Sequence, residues 1–376
     1  MVTTIIFILV LGVLVFAHEL GHFVAARKLG IRSEEFGFGF PPRIFGWKKV
    51  DGKRKFFWGN AAVQSEDTIY SLNWLPLGGF VKIKGEGGEN KEDKDSFAGR
   101  KAWQRFVVLS AGVAMNFALA AVLFMFIFTI GSPQGIDDGN GKYVKSIKDP
   151  AVQVIAILPD SPAEKAELKF GDVIEKIDGA PMASVEDVRA ALKGKENHEV
   201  LVKIKRSDSE NELKIMPTKV DGVDGAGIGV GLTATGIVTY EFPYSLWMGL
   251  KTTIILTGLI IDGLYSIIKN LIIAQPIGVD VAGPVGIAVI TGQAARMGIV
   301  YLLQFMALLS INLGIINFLP FPALDGGRVL FIIIEKIRRK PVDEKIEAIA
   351  HNIGFLLLIG LIIFITGHDI FGYFRK

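Results

Sequence analysis

The 376-residue chain contains no cysteine. Disulfides, thiolate metal sites and cysteine nucleophiles are therefore excluded, and any transition-metal site must use His, Asp or Glu. Histidine is scarce as well, with five in the chain, so such a site is easy to look for. Neither sign of charge is in excess. The formal net charge is +3, which gives no electrostatic footprint for nucleic acid. The N-terminus lacks the basic first region and the small-x-small cleavage site of a secretory signal peptide. Its apolar run leads directly into His18-Glu19, so it reads as a retained first span.

Apolar sequence is plentiful and comes in long blocks. Val2–Phe16, Phe106–Ile130, Ser245–Ile261, Ile299–Leu319 and Ile349–Ile365 each approach the ~20 residues needed to cross a bilayer as a helix. Polar stretches of globular character lie between them. The lipid bilayer is thus the first partner implied. Basic residues cluster in Lys48–Lys55, Arg100–Arg105 and Lys336–Lys340, and clusters beside spans report orientation.

His18-Glu19-Leu20-Gly21-His22 is an H-E-x-x-H motif on a predicted helix. Residues four apart differ by only about 40° around a helix, so both imidazoles share one face, the bite a tetrahedral zinc accepts. Glu19 stands beside the pair and can act as general base without being a ligand. Placing His, Glu and His in an apolar span is costly, about 2–3 kcal/mol for a charge at the span's centre on insertion scales, and such residues usually face a protein interior to do chemistry. A zinc site needs a third ligand. Glu34 and Glu35 follow closely but lie beyond Gly30 in a polar stretch. The better candidate is Asp325, in Asn317-Phe318-Leu319-Pro320-Phe321-Pro322-Ala323-Leu324-Asp325-Gly326-Gly327. There the prolines break the preceding helix and the glycines permit a sharp turn. The same Asp-Gly also reads as an ordinary turn.

These two distant motifs resemble the site-2 protease family of intramembrane metalloproteases, and the likeness is to the bacterial RseP/RasP type. Supporting segments are Glu35–Phe40, Leu75–Lys82, Asn116, Ala282–Ala288 and Asn312. The resemblance implies Zn2+ held by His18, His22 and Asp325, with Glu19 catalytic. It implies cleavage of single-span membrane proteins, such as anti-sigma factors or signal-peptide remnants, after a first cut by another protease. It also implies that Asn317 hydrogen-bonds the unwound substrate backbone, although interhelical bonding accounts for it equally well. Asn312 joins it as a candidate substrate-binding residue. Ser71–Glu86 reads as a β-hairpin that, by resemblance, dips into the membrane. Its Gly79, Phe80 and Val81 would bind a substrate whose helical hydrogen bonds must be replaced before cleavage.

Lys145–Met216 resembles a PDZ domain through Ser161-Pro162-Ala163 and Phe170-Gly171-Asp172-Val173-Ile174, with Glu167 where the pattern usually has Gly. RseP itself carries two tandem PDZ domains, and this chain has room for one. A PDZ domain binds peptide C-termini by strand addition; here it could instead filter substrates by size.

The expected fold is a polytopic α-helical membrane protein with four spans, a membrane-associated β-hairpin region and an inserted extracytoplasmic PDZ domain. The expected boundaries are 1–28 for the first span, 29–98 for the cytoplasmic-side hairpin region, and 99–131 for the second span. Then follow 142–232 for the PDZ domain and 240–298 for an interfacial or re-entrant region. The third span occupies 299–335, a cytoplasmic loop 336–348, and the fourth span with the C-terminus 349–376. The expected location is the bacterial inner (cell) membrane, with both termini and the PDZ domain outside. A PDZ-bearing scaffold without proteolytic activity would not need Glu19. A metal transporter would need further ligands, yet His198, His351 and His368 do not pair at ligand spacing.

Overall fold

The computed structural model describes residues 2–50, 52–60, 67–135, 143–206, 209–219, 226–273, 275 and 283–374. Ala282 and the expected boundary at 142 lie outside the described residues. The chain divides into two compact units, one formed by 1–125 with 248–376 and the other by 126–247.

The first unit begins with helix α1 (Val2–Lys28). Its buried residues include Val10, Leu14, His18, Gly21, His22 and Ala26, spaced three or four apart along one helix face. Strands β1 (Ser33–Val50), β2 (Lys53–Trp58) and β3 (Ile69–Ile83) follow and form one sheet. The hairpin expected over 71–86 takes a different form. Glu35, Phe36, Gly37 and Phe38 of β1 each have two partners in β3, one within 69–72 and one within 79–82. The first half of β1 therefore lies between the two halves of β3, and residues 79–83 form an outer edge. The sheet packs on α1 through aromatic rings: Phe36 stacks on Phe23 with centroids 4.5 Å apart and tilts against Phe16 at 5.4 Å.

Helix α2 (Ala102–Ile130) leads into the second unit. There β4 (Ser132–Gly135), β5 (Val144–Ile157), β6 (Val173–Ile177), β7 (Ala180–Pro181), β8 (Val200–Arg206), β9 (Ser209–Ile215) and β12 (Val230–Tyr240) form a seven-stranded sheet. The short β10 (Thr218–Lys219) and β11 (Ala226–Gly227) pair separately. Helices α3 (Pro162–Lys165) and α4 (Val185–Leu192) complete the unit. Ser184 and Asp187 cap α4 reciprocally, satisfying two of its unpaired amides. The sheet takes in residues on either side of 142–232, because β4 pairs with the second half of β12. Glu167, at the usual glycine position, adopts a left-handed φ of 59°.

The chain returns to the first unit in α5 (Tyr244–Ile272), α6 (Pro284–Met297), α7 (Ile299–Asn317), α8 (Asp325–Arg338) and α9 (Glu344–Phe374). Among the described residues, five helices are long and apolar enough to cross a membrane: α1, α2, α5, α7 and α9. They differ in burial. In α2, 39% of the most apolar stretch is buried, and in α5 none is. Below the histidines, Ala26, Ile31, Ile83, Phe97, Val108, Val329 and Ile332 form a core that joins α1, β3, α2 and α8.

Candidate metal centre

The helical spacing of His18 and His22 turns both rings toward α2, and close packing brings them in. A Cβ on Gly21 would strike Ala111, with its carbonyl carbon 2.7 Å away, and a Cβ on Gly112 would lie 2.8 Å from Cε1 of His18. Only a hydrogen at these two positions lets the helices approach enough to cradle two imidazoles. Both histidines are buried at 6% exposure.

Asp325 arrives from far along the chain. After α7 the segment 318–324 folds back on itself. Gly326 faces the Phe318 and Leu319 carbonyls, and Gly327 faces that of Phe321, so closely that neither has room for a Cβ. Ala323 takes a left-handed φ of 82°, and its N–H donates to Nδ1 of His351 at 3.2 Å. The turn ends at Asp325, the first residue of α8, where the helix N-terminus favours a carboxylate.

The three donor atoms converge. Nε2 of His18 lies 3.0 Å from Oδ2 of Asp325 and 3.1 Å from Nε2 of His22, and Nε2 of His22 lies 3.2 Å from the same Oδ2. Bonds of about 2.0–2.1 Å to a tetrahedral zinc imply ligand atoms about 3.3 Å apart. The triangle fits that geometry, and two imidazoles with a carboxylate suit zinc better than a hard, oxygen-seeking cation. The Nδ1 atoms are held from behind: Nδ1 of His22 donates to the Val108 carbonyl at 2.8 Å, and Nδ1 of His18 meets the Asn116 side chain at 3.1 Å.

Glu19, Phe80, Val81, Glu86, His22 and Asp325 line one cavity of about 230 Å3. The Val81 N–H donates to Glu19 at 3.1 Å, fixing the carboxylate at the edge of β3. Asn317 also reaches the centre, with Nδ2 3.3 Å from Nε2 of His18. Of the other expected substrate-binding residues, Gly79 packs against Phe16, beside the cavity wall. Asn312 turns away and donates to the Leu308 carbonyl of its own helix at 3.1 Å. The rival ligands are engaged elsewhere: Glu35 pairs with Arg43 at 2.5 Å and Glu34 with Lys82 at 2.7 Å. Sequence reading assigned no part to Val108 or Gly112, and a backbone carbonyl leaves no trace in the residue pattern. The four-residue spacing of Val108, Gly112 and Asn116 was the available signal.

The description "Peptidase family M50" matches residues 6–361. The regulator of sigma-W protease RasP from Bacillus subtilis is 30% identical, covering 98% of this chain and 98% of its own length. The zinc metalloprotease RasP from Geobacillus kaustophilus is also 30% identical, covering 98% of this chain and 97% of its own. Among solved structures, the PDZ domain of an SdrC-like protein from Listeria monocytogenes is 27% identical, covering 23% of this chain and 92% of that domain with a TM-score of 0.22. The family match runs through both metal motifs, and the relatives are covered almost end to end. The chain therefore belongs to peptidase family M50, as a zinc metalloprotease of the RseP/RasP type among the site-2 proteases.

Proposed function

We propose that this enzyme cuts the membrane-spanning segment of single-span membrane proteins, after another protease has shortened their outer part. His18, His22 and Asp325 hold the zinc and Glu19 is the catalytic base. The observation that carries this reading is the convergence of three donor atoms from opposite ends of the chain on the cavity that Glu19 lines. Zinc bound there supplies a Lewis acid that polarises the scissile carbonyl and acidifies the attacking water. Glu19 takes the water proton and passes it to the leaving amine. Until then the Val81 amide holds its carboxylate. The outer edge of β3 at Gly79, Phe80 and Val81 offers hydrogen bonds to an unwound substrate backbone once the Val81 N–H is released from Glu19, and Asn317 offers an amide on the metal side.

Substituting Glu19→Gln tests the reading. Cleavage of a single-span model substrate in membranes should fall by about 10²–10⁴-fold, with zinc content unchanged because Glu19 is not a ligand. Normal turnover would sink the mechanism.

The same reading gives four crossings in the bacterial inner membrane, with both termini and the β-rich unit outside. Helices α1 and α7 both approach the metal with their C-terminal parts, so both start at the same face. The chain leaving α2 and the chain entering α7 are then on that same face. A lone crossing by α5 would break this symmetry, and α6, with 14 residues, spans only about 21 Å of the ~30 Å core. We therefore read α5 as lying at the outer face. Single cysteines at Asp149, Lys340 and Gly278 (the last outside the described residues) can be probed with an impermeant thiol reagent. Asp149 and Gly278 should label from outside and Lys340 only from inside. Labelling of Asp149 and Gly278 from opposite faces would mean that α5 crosses.

A further inference from the structure

Helix α2 turns one line of residues, Val108, Gly112 and Asn116, toward the two histidines. The Val108 carbonyl holds Nδ1 of His22 at 2.8 Å, and the Asn116 side chain meets Nδ1 of His18 at 3.1 Å. Gly112, between them, leaves room for both rings. A neutral imidazole carries one N–H. If Nε2 offers its lone pair to a metal, the proton sits on Nδ1 and needs an acceptor. For His22 that acceptor is a carbonyl. For His18 it must be the oxygen of the Asn116 amide, whose oxygen and nitrogen exchange places by a half-turn.

We propose that Asn116 is a positioning residue of the zinc site, accepting the Nδ1 proton of His18 and so fixing the tautomer and ring angle that aim Nε2 at the metal. The inference rests on the reading of His18 as a ligand. A purely structural role for the amide is poorly supported. Asn116 is fully buried in an apolar helix, and its other side-chain polar atom has no hydrogen-bond partner. An apolar residue would spare that desolvation. The tie between α2 and α7 runs through the Asn116 backbone, whose carbonyl accepts from the Ser310 hydroxyl at 2.8 Å. That bond does not depend on the side chain. What the side chain uniquely provides is its contact with His18.

The test compares zinc affinity, by chelator competition on the purified full chain, with the thermal midpoint of the metal-free protein. Asn116→Leu should weaken zinc binding by about 10–100-fold while the metal-free midpoint holds or rises. Asn116→Asp restores an acceptor and should bring affinity back to within a few-fold of wild type. Should the leucine variant not fold, Asn116→Ala carries the same comparison. Wild-type affinity in the apolar variant overturns the proposal. So does equal weakening in the apolar and aspartate variants, which would mark a packing role. His18→Ala is the control: if it leaves zinc binding intact, the ligand reading itself has failed. If it abolishes binding while Asn116→Leu does not, only the role of Asn116 is lost.

Discussion

Burial serves different ends in the two units. In residues 126–247 the fully buried side chains include Val152, Val154, Ile174, Ile177, Val200, Val202 and Ile204, branched residues that fill a sheet-and-helix core. In the other unit close packing around the histidines occurs where side chains are missing: Gly21 lies against the α2 backbone and Gly112 against both imidazoles. The β-rich unit gains stability from volume. The helical unit leaves volume out so that polar donors can converge. Changing a few methyl groups should therefore have opposite consequences in the two places.

The largest expected effect is at the glycine seat. In Gly112→Ala the new methyl collides with both rings, so the chain should lose most of its zinc and with it cleavage. The global cost is that of overpacking, about 1–3 kcal/mol. In Ile177→Ala the order reverses. Removing a fully buried side chain should destabilise the β-rich unit by about 2–5 kcal/mol, with zinc content unchanged. Denaturant titration followed by circular dichroism, alongside metal analysis, reads both. Equal zinc loss in the two variants would erase the contrast.

A smaller effect concerns acid. The Asp172 carboxyl is 1% exposed. Burial alone would raise its pKa, but hydrogen bonds from the Arg206 guanidinium, at 2.7 Å to each oxygen, and from the Lys169 N–H hold it below the ordinary 3.8. The folded value is depressed, so the stabilisation is complete above the unfolded value and is lost as pH falls through the folded one. The β-rich unit should keep a constant midpoint down to about pH 5 and weaken below it. Asp172→Asn should flatten that acid limb. A wild-type limb in Asp172→Asn would assign the acid loss to other carboxyls.

Much of this was legible in the sequence for physical reasons that differ by element. The apolar blocks announced the long helices because a span must satisfy its backbone internally. The meeting of His18, His22 and Asp325 beside a cavity that Glu19 lines was legible because a helical four-residue spacing and a proline-glycine turn are both written in the residue pattern. The insertion of β1 between the halves of β3 was not, since strand order in this sheet is set by pairing across distant segments. Val108 was hidden because its contribution is a backbone carbonyl. Glu34 and Glu35 ranked behind Asp325 from their place beyond Gly30, but their ion pairs with Lys82 and Arg43 are contacts that the residue pattern does not show.

The central claim is that three side chains from the two ends of the chain share one zinc. Metal analysis of the purified wild type, Asp325→Ala and Glu35→Ala tests it most directly. The wild type and Glu35→Ala should each retain zinc near one equivalent per chain, and Asp325→Ala should retain far less. Undiminished zinc in Asp325→Ala with a loss in Glu35→Ala would contradict the assignment and move the third ligand to β1.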